Sequence, residues 1–70
     1  MEQIQFELTS EHIELLKLLK ITGVVGSGGE AKHLIATGDI KVNGEFTLVK
    51  RLKIKKGDTV SSEGFRIQVM

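Results

Sequence analysis

Seventy residues without a cysteine form one small domain and exclude disulfide frameworks, thiolate metal sites and cysteine nucleophiles. Hydrophobic residues make up 40% of the chain, enough for a folded core, but no apolar run approaches the roughly 18 residues that span a bilayer. The net charge is only +1, yet residues 1–16 hold four acids and no Lys or Arg, whereas residues 17–70 hold all ten basic residues. We expect an intracellular, soluble protein with one domain over residues 1–70 and a separate, negative N-terminal end.

A strand and the start of a helix are predicted at this end. Apolar and polar residues alternate over residues 3–8, the pattern of a half-buried strand. Thr9 or Ser10 can then cap a helix, because a side-chain oxygen at that position accepts hydrogen bonds from the free amides of the first turn. Glu11 and Glu14 would lie in that turn, where the helix dipole favours negative charge. The first helix is therefore expected to begin directly after this cap.

A second helix follows the first. Apolar residues between positions 13 and 21 form one wide helical face, and Gly23 suits the position just after a helix end. Ser27 begins the second helix with a capping box, in which its hydroxyl accepts from the Glu30 amide and the Glu30 carboxylate reaches back to Ser27. Gly38 ends this helix as Gly23 ends the first. We expect the two helices to be joined by a short turn.

The glycine-rich segment 26–31 also matches the G-x-G-x-x-G/A fingerprint of dinucleotide-binding proteins. In those proteins the loop follows a strand and opens a helix within a βαβ unit. Here a helix precedes the loop, and 70 residues are too few for two such units. The Gly-Lys-Ser/Thr triplet of a phosphate-binding P-loop is also absent from the sequence. We therefore interpret the glycines as a helix–helix turn and expect no cofactor.

After residue 38 the pattern changes to the period of two that is typical of strands. Asn43-Gly44 is a strong hairpin signal, because both residues tolerate the positive φ angles of a type I′ turn. Phe46 and Leu48 are expected to continue the returning strand. Two more turn signals follow, Gly57-Asp58 and Glu63-Gly64. The order of one strand, two helices and then hairpins predicts an α+β fold.

Positive charge is concentrated in residues 50–56, where five of seven positions are Lys or Arg. We call this segment the basic run and expect a loop or an irregular strand. Charge runs are most often solvated surface. Cations that meet others in the fold can, however, neutralise several phosphates together.

Five motifs, taken in order, resemble the S4-type RNA-binding domain, which is named after ribosomal protein S4. They are LLKLL at 15–19, SGGEAK at 27–32, LIATG at 34–38, KVNG at 41–44 and KGDTV at 56–60. The resemblance covers residues 10–60, and the SGGEAK form looks most like the small stand-alone S4-like proteins of bacteria. It implies the alpha-L fold, in which two packed helices lie against a small antiparallel sheet of hairpins, here with an N-terminal strand.

The resemblance also implies a non-catalytic protein whose basic face docks on structured RNA. Ribosomal RNA or a ribosome-assembly particle is the favoured partner, and transfer RNA is the next candidate. Carried over by position, the contacts would come from Ser27, Gly28, Lys32, Lys41, Asn43, Lys50, Arg51 and Lys53, followed by Lys55 and Lys56. Many S4 domains carry Arg where this chain has Gly28. We expect a cytoplasmic monomer that binds no membrane and no small-molecule substrate.

Independent physical arguments bear on these residues. The start of a helix offers free amides and partial positive charge to a phosphate, and Lys32 lies one turn into the second helix. Structural interpretations stay open beside this one. Ser27 can serve as a cap alone, Asn43 as a turn residue, and Lys41 and Lys53 as ordinary outward charges on strands.

The other polar residues give no sign of catalysis or metal binding. His12 and His33 are single and separated, which favours surface imidazoles over metal ligands. Asp39, Asp58 and Glu63 all fall at turns, where their side chains suit local hydrogen bonds and form no general acid–base pair. We expect the protein not to be an enzyme.

The aromatic residues indicate which kind of RNA is bound. Phe6, Phe46 and Phe65 are the only aromatics, and all three fall at strand positions that can reach the core. Proteins that bind single strands use exposed aromatic platforms, which this chain would then lack. Recognition of the phosphates and shape of folded RNA is expected instead, with modest sequence specificity.

Two other functions compete with RNA binding. A protein–protein interaction module could dock the same basic face on an acidic partner, and nuclease-sensitive co-sedimentation with ribosomal particles would separate these two classes. A ubiquitin-like sulfur carrier would match the segment VNGE at 42–45. Carriers of that class need a C-terminal Gly-Gly, whereas residues 68–70 read QVM.

Overall fold

The computed structural model describes residues 2–70. In chain order, its elements are β1 (Glu2–Phe6), β2 (Ile13–Glu14), α1 (Leu15–Ile21), α2 (Gly28–Ala36), β3 (Lys41–Val42), β4 (Glu45–Phe46), β5 (Lys53–Ile54), β6 (Thr59–Ser61) and β7 (Phe65–Val69). Five strands form one sheet in the order β1-β7-β6-β3-β4, and β2 pairs with β5 in a second sheet. This arrangement confirms the α+β fold class. None of the helices in the described chain is long and apolar enough to cross a membrane.

The five-stranded sheet is mixed rather than purely antiparallel. The pairs β3–β4, β3–β6 and β6–β7 are antiparallel. Tight turns join the first and the last of these pairs, as antiparallel strands allow. The pair β1–β7 is parallel, a direction that the sequence did not predict for the N-terminal strand. Almost the whole chain separates these two strands, and no hairpin fixes their relative direction. In this register Ile4 lies opposite Ile67, next to the core.

The core lies between one face of this sheet and the two helices. Residues of β7 alternate between buried and more exposed positions, as period two requires. Both helices contribute buried side chains at the spacing of one helical face. The buried hydrophobic residues are Leu8, Ile13, Leu15, Leu18, Leu19, Ala31, Ile35, Ile40, Ile54, Val60, Phe65, Ile67 and Val69. The helices therefore cover the inner face of the sheet and leave its outer face exposed.

Helix α1 begins later than the local signals predict. Ile13 and Glu14 are extended and pair with β5, so the helix starts only at Leu15. Ser10 does not cap it, since its hydroxyl donates to the carbonyl of His12. The first turn contains no acidic residue. The predicted cap is wrong because strand pairing buries Ile13 beside the core, and an earlier helix would prevent that pairing.

Helix α2 begins and ends largely as predicted. The Ser27 Oγ accepts a hydrogen bond from the Glu30 amide at 3.2 Å. The Glu30 carboxylate reaches the Gly26 amide at 3.1 Å rather than that of Ser27, so the second half of the capping box is displaced by one residue. Gly23 and Gly38 follow the C-cap residues Thr22 and Thr37, as predicted for glycines at helix ends, and both have φ +81°.

The β3–β4 hairpin has the predicted turn but a shorter returning strand. Asn43 and Gly44 have φ angles of 54° and 86°, which a type I′ turn requires. Strand β4 ends at Phe46, and Leu48 lies outside it. Phe46 is 66% exposed, so the expectation that it reaches the core is wrong. It lies on an edge strand opposite Lys41, on the outer face of the sheet.

Candidate functional site

Main-chain hydrogen bonds attach the basic run to the start of α1. The Leu15 amide donates to the Leu52 carbonyl at 2.9 Å, and the Leu16 amide donates to the Lys50 carbonyl at 3.1 Å. These amides lie in the first turn, where a helix provides no acceptors of its own. Carbonyls of the basic run therefore replace a side-chain cap, and this places the run against α1.

An open groove of about 570 Å³ lies between the basic run and α2. Lys32 of α2 and both Lys50 and Arg51 of the basic run line it. Leu16 and Leu48 complete its walls on the apolar side. All three cationic side chains are exposed, so each can reach a ligand. The fold thus brings Lys32 together with Lys50 and Arg51, a predicted pair that lies far from it in the sequence.

A second groove of about 420 Å³ continues along α1. It shares Glu14 and Leu16 with the first groove and is lined by Lys17 and Lys20. These two lysines were not among the predicted site residues. Their spacing of three on the polar side of α1 was the available signal. We call the continuous surface lined by Lys17, Lys20, Lys32, Lys50 and Arg51 the cationic groove.

One acid lies within the cationic groove. Glu14 lines both of its parts, and its Oε2 is 3.8 Å from Arg51 Nε. The Arg51 side chain is 81% exposed and that of Glu14 is 40% exposed, so solvent weakens this contact. The expectation that the acids of residues 1–16 form a separate negative end is therefore wrong for Glu14. Pairing of β2 with β5 carries this carboxylate to the basic run.

The start of α2 borders the same surface. The Ser27 hydroxyl is engaged in the helix cap, which confirms its structural role. Gly28 lines the part of the cationic groove along α1. A Cβ at Gly28 would meet no atom within 4 Å, so this position has open space where many S4 domains carry Arg.

Asn43 lies at the tip of the β3–β4 hairpin, and its side chain is held locally. Its Oδ1 accepts from the Thr59 amide at 2.9 Å, and its Nδ2 donates to Asp58 Oδ1 at 3.1 Å. The other oxygen of Asp58 accepts from the Lys55 amide at 2.8 Å, as expected for an acid at a turn. The turn role of Asn43 is therefore confirmed.

The remaining predicted cations lie outside the cationic groove. Lys41 is on the outer face of the sheet, where its Nζ lies 4.8 Å from the centre of the Phe46 ring. Lys53 is exposed on β5, opposite Glu14. Lys55 and Lys56 are exposed and lie beyond β5, toward the turn at Gly57.

Within residues 2–70, no group of three His, Asp or Glu side chains could hold a metal ion.

The chain is similar in sequence and in structure to proteins of bacteria. The family model described as "S4 domain" matches residues 6–70. The "Putative RNA-binding protein YbcJ" of Escherichia coli (strain K12) is 48% identical over 59 residues, which cover 84% of each chain. The "Probable ribosome maturation protein RlbA" of Bacillus subtilis (strain 168) is 36% identical over 58 residues, covering 83% of this chain and 82% of the relative.

A structural neighbour extends this similarity to the fold. The solution structure of YbcJ from Escherichia coli has a TM-score of 0.78 and 42% sequence identity with this chain. The similarity covers 100% of this chain and 90% of the neighbour. That structure is described as revealing an alfaL motif involved in RNA-binding.

Proposed function

The chain belongs to the S4 domain family, and on that premise we propose that it binds structured RNA through the cationic groove without catalysing a reaction. The observation that carries this proposal is the meeting of Lys32, Lys50 and Arg51 around one open groove. Ammonium and guanidinium groups hold phosphate oxygens by charge-assisted hydrogen bonds. The name of the relative YbcJ supports RNA as the class of partner.

The geometry of the cationic groove favours folded RNA. Its cations come from three elements, α1, α2 and the basic run, and are distributed around two connected hollows. Folding of an RNA brings phosphates of different strands close together, and cations distributed in this way match such phosphates. Phosphate contacts set the position and register of the protein and do not read the sequence.

We propose ribosomal RNA, or a particle in ribosome assembly, as the specific partner. The name of the relative RlbA, which refers to ribosome maturation, supports this choice. Transfer RNA is the second candidate. The protein would act in the cytoplasm. It would act as a monomer, since one domain supplies every cation of the cationic groove. Ser27, Gly28 and Lys53 border the proposed RNA path, whereas Asn43 contributes mainly by holding its turn.

The salt dependence of binding to a structured ribosomal RNA fragment tests this proposal. If roughly three to five phosphates are neutralised, log K falls against log salt with a slope of about −2 to −5. A slope near zero would contradict binding through phosphates. Crosslinking in cells, followed by sequencing of the attached RNA, identifies the partner. Co-sedimentation with ribosomal particles that survives nuclease treatment would instead favour an acidic protein partner.

A further inference from the structure

The outer face of the five-stranded sheet carries a row of side chains that the cationic groove does not use. Strand register places one residue of each strand directly opposite the next, and directly paired residues share a face. In sheet order from the free edge of β4, the row is Phe46, Lys41, Ser61, Arg66 and Gln3. With strands about 4.8 Å apart, it extends for about 19 Å.

A second row of polar residues lies beside the first. Thr59, Gln68 and Gln5 are paired with one another and share the same face by the period of two. We call the surface formed by both rows the outer sheet face: Gln3, Gln5, Lys41, Phe46, Thr59, Ser61, Arg66 and Gln68. Its members include two cations, several amides and hydroxyls, and no carboxylate.

Phe46 is the unusual member of the outer sheet face. Phe65 is buried and Phe6 packs against the core, whereas Phe46 is 66% exposed. Lys41 Nζ lies 4.8 Å from the centre of its ring, so a cation and an aromatic surface are presented together. Sites for single-stranded nucleic acid combine these two features, because bases stack on the ring while cations follow the backbone.

We propose that the outer sheet face is a second RNA-binding surface, which takes a single-stranded segment. An unpaired base stacks on Phe46, and Lys41 and Arg66 hold the adjoining phosphates. The bases of a duplex are already stacked on one another, so an exposed ring selects an unpaired strand. This inference rests on the RNA-binding function proposed above and adds a different class of RNA to it.

Neighbouring groups fix the path of this strand. The hollow beside Lys41 and Phe46 is also lined by Asp39 and Glu63, which lie at one end of the strands. Phosphates are repelled there, and Asp58 is held by Asn43 at the other end of the strands, so the phosphates lie between the two ends, at Lys41 and Arg66. The helices pack on the inner face of the sheet, so the two RNA surfaces lie on different sides of the domain. A change in one should leave the other intact.

Tryptophan fluorescence tests the outer sheet face directly, because the natural chain contains neither Trp nor Tyr. Phe46→Trp places a single fluorophore on this face, and Leu48→Trp places one at a similarly exposed position in the cationic groove. The probe is an unstructured oligouridylate of about ten nucleotides, within the range of site sizes known for single-strand binders. It should quench Trp at position 46 and leave Trp at position 48 unchanged, whereas a blunt-ended RNA hairpin should have the opposite effect.

Affinity measurements complete the test. Phe46→Ala should weaken binding of the oligouridylate by about 5-fold or more while leaving hairpin binding unchanged. The double variant Lys32→Gln, Arg51→Gln should weaken hairpin binding and leave quenching at position 46 intact. If the hairpin fails to bind at all but the oligouridylate still quenches at position 46, the proposed groove function fails and this inference stands.

Two results would overturn the inference. One is the absence of quenching at position 46, or equal quenching at positions 46 and 48. The other is a concentration-dependent dimer of the natural chain that Phe46→Ala abolishes, because Phe46 would then be a contact between two copies.

Discussion

The two helices of this small domain begin in opposite ways. Helix α2 is capped by its own neighbourhood, since Ser27 accepts a hydrogen bond from Glu30 three residues later. Helix α1 has no side-chain cap, and its first amides donate to carbonyls at Leu52 and Lys50, far along the chain. The start of α2 needs only a few adjacent residues, whereas the start of α1 needs most of the domain.

This difference links stability to the candidate site. The bonds that begin α1 are the same bonds that hold Lys50 and Arg51 beside Lys32. The cationic groove therefore exists only when β2, β5 and α1 are assembled. The start of α2 supplies Lys32 through local structure and is less dependent on the rest of the fold. Substitutions at the two starts should differ in size and in their effect on RNA binding.

The largest effect on stability is expected where the β2–β5 pair supports the start of α1. Ile54 of β5 is fully buried and lies opposite Ile13. Ile54→Ala should lower the free energy of unfolding by about 2–5 kcal/mol, because it leaves a cavity under the start of α1. Urea denaturation measures this loss. RNA affinity should fall in parallel, since the basic run loses its attachment.

Ile21→Ala is the matched control for Ile54→Ala. Ile21 ends α1 and is 58% exposed, so the free energy of unfolding should change by less than about 0.5 kcal/mol. Equal losses in the two variants would mean that the β2–β5 pair does not support the start of α1.

A smaller effect on stability is expected at the start of α2, which is capped by adjacent residues. Ser27→Ala should cost about 1 kcal/mol of stability, through loss of the bond from the Glu30 amide. Ser10→Ala is the control, because Ser10 bonds only the carbonyl of His12 and caps no helix. Thermal melting should separate the two variants. An unchanged melting temperature for Ser27→Ala together with weaker RNA binding would make Ser27 a ligand rather than a cap.

The smallest effect on stability is expected for Glu14, the acid within the cationic groove. Glu14→Gln removes a weak, exposed contact with Arg51, so melting should hardly change. Binding of structured RNA should tighten by about 2- to 5-fold, because a charge that repels phosphate leaves the cationic groove. Glu11→Gln, at an exposed residue outside the groove, should leave affinity unchanged. Equal effects of Glu11→Gln and Glu14→Gln on RNA affinity would place the RNA away from Glu14.

The accuracy of the sequence predictions follows the same division between local and long-range structure. The cap at Ser27 and the Asn43-Gly44 turn depend on a few adjacent residues, and both were predicted. The parallel pairing of β1 and the late start of α1 depend on partners far along the chain, and both were missed. The exposure of Phe46 was missed because an apolar residue was expected to face the core, whereas the hairpin register pairs it with Lys41 on the outer face.

The candidate site divides in the same way. Lys32 and the basic run were identified from charge and from family resemblance, but their meeting in one groove needed the fold. Lys17 and Lys20 resemble ordinary surface lysines in the sequence, and the position of α1 brings them to the same surface. Asn43 is held by Asp58 and Thr59, which the sequence alone did not show, and its contact with RNA stays a prediction.

The most direct test of the central claim compares cations that line the groove with cations that do not. Lys32→Gln and Arg51→Gln should each weaken binding of structured RNA and make the salt slope shallower by about one unit. Lys55→Gln and Lys56→Gln should have smaller effects, because these lysines are on the same run but outside the groove. Unchanged affinity for Lys32→Gln and Arg51→Gln, with loss of binding for Lys55→Gln or Lys56→Gln, would contradict the account.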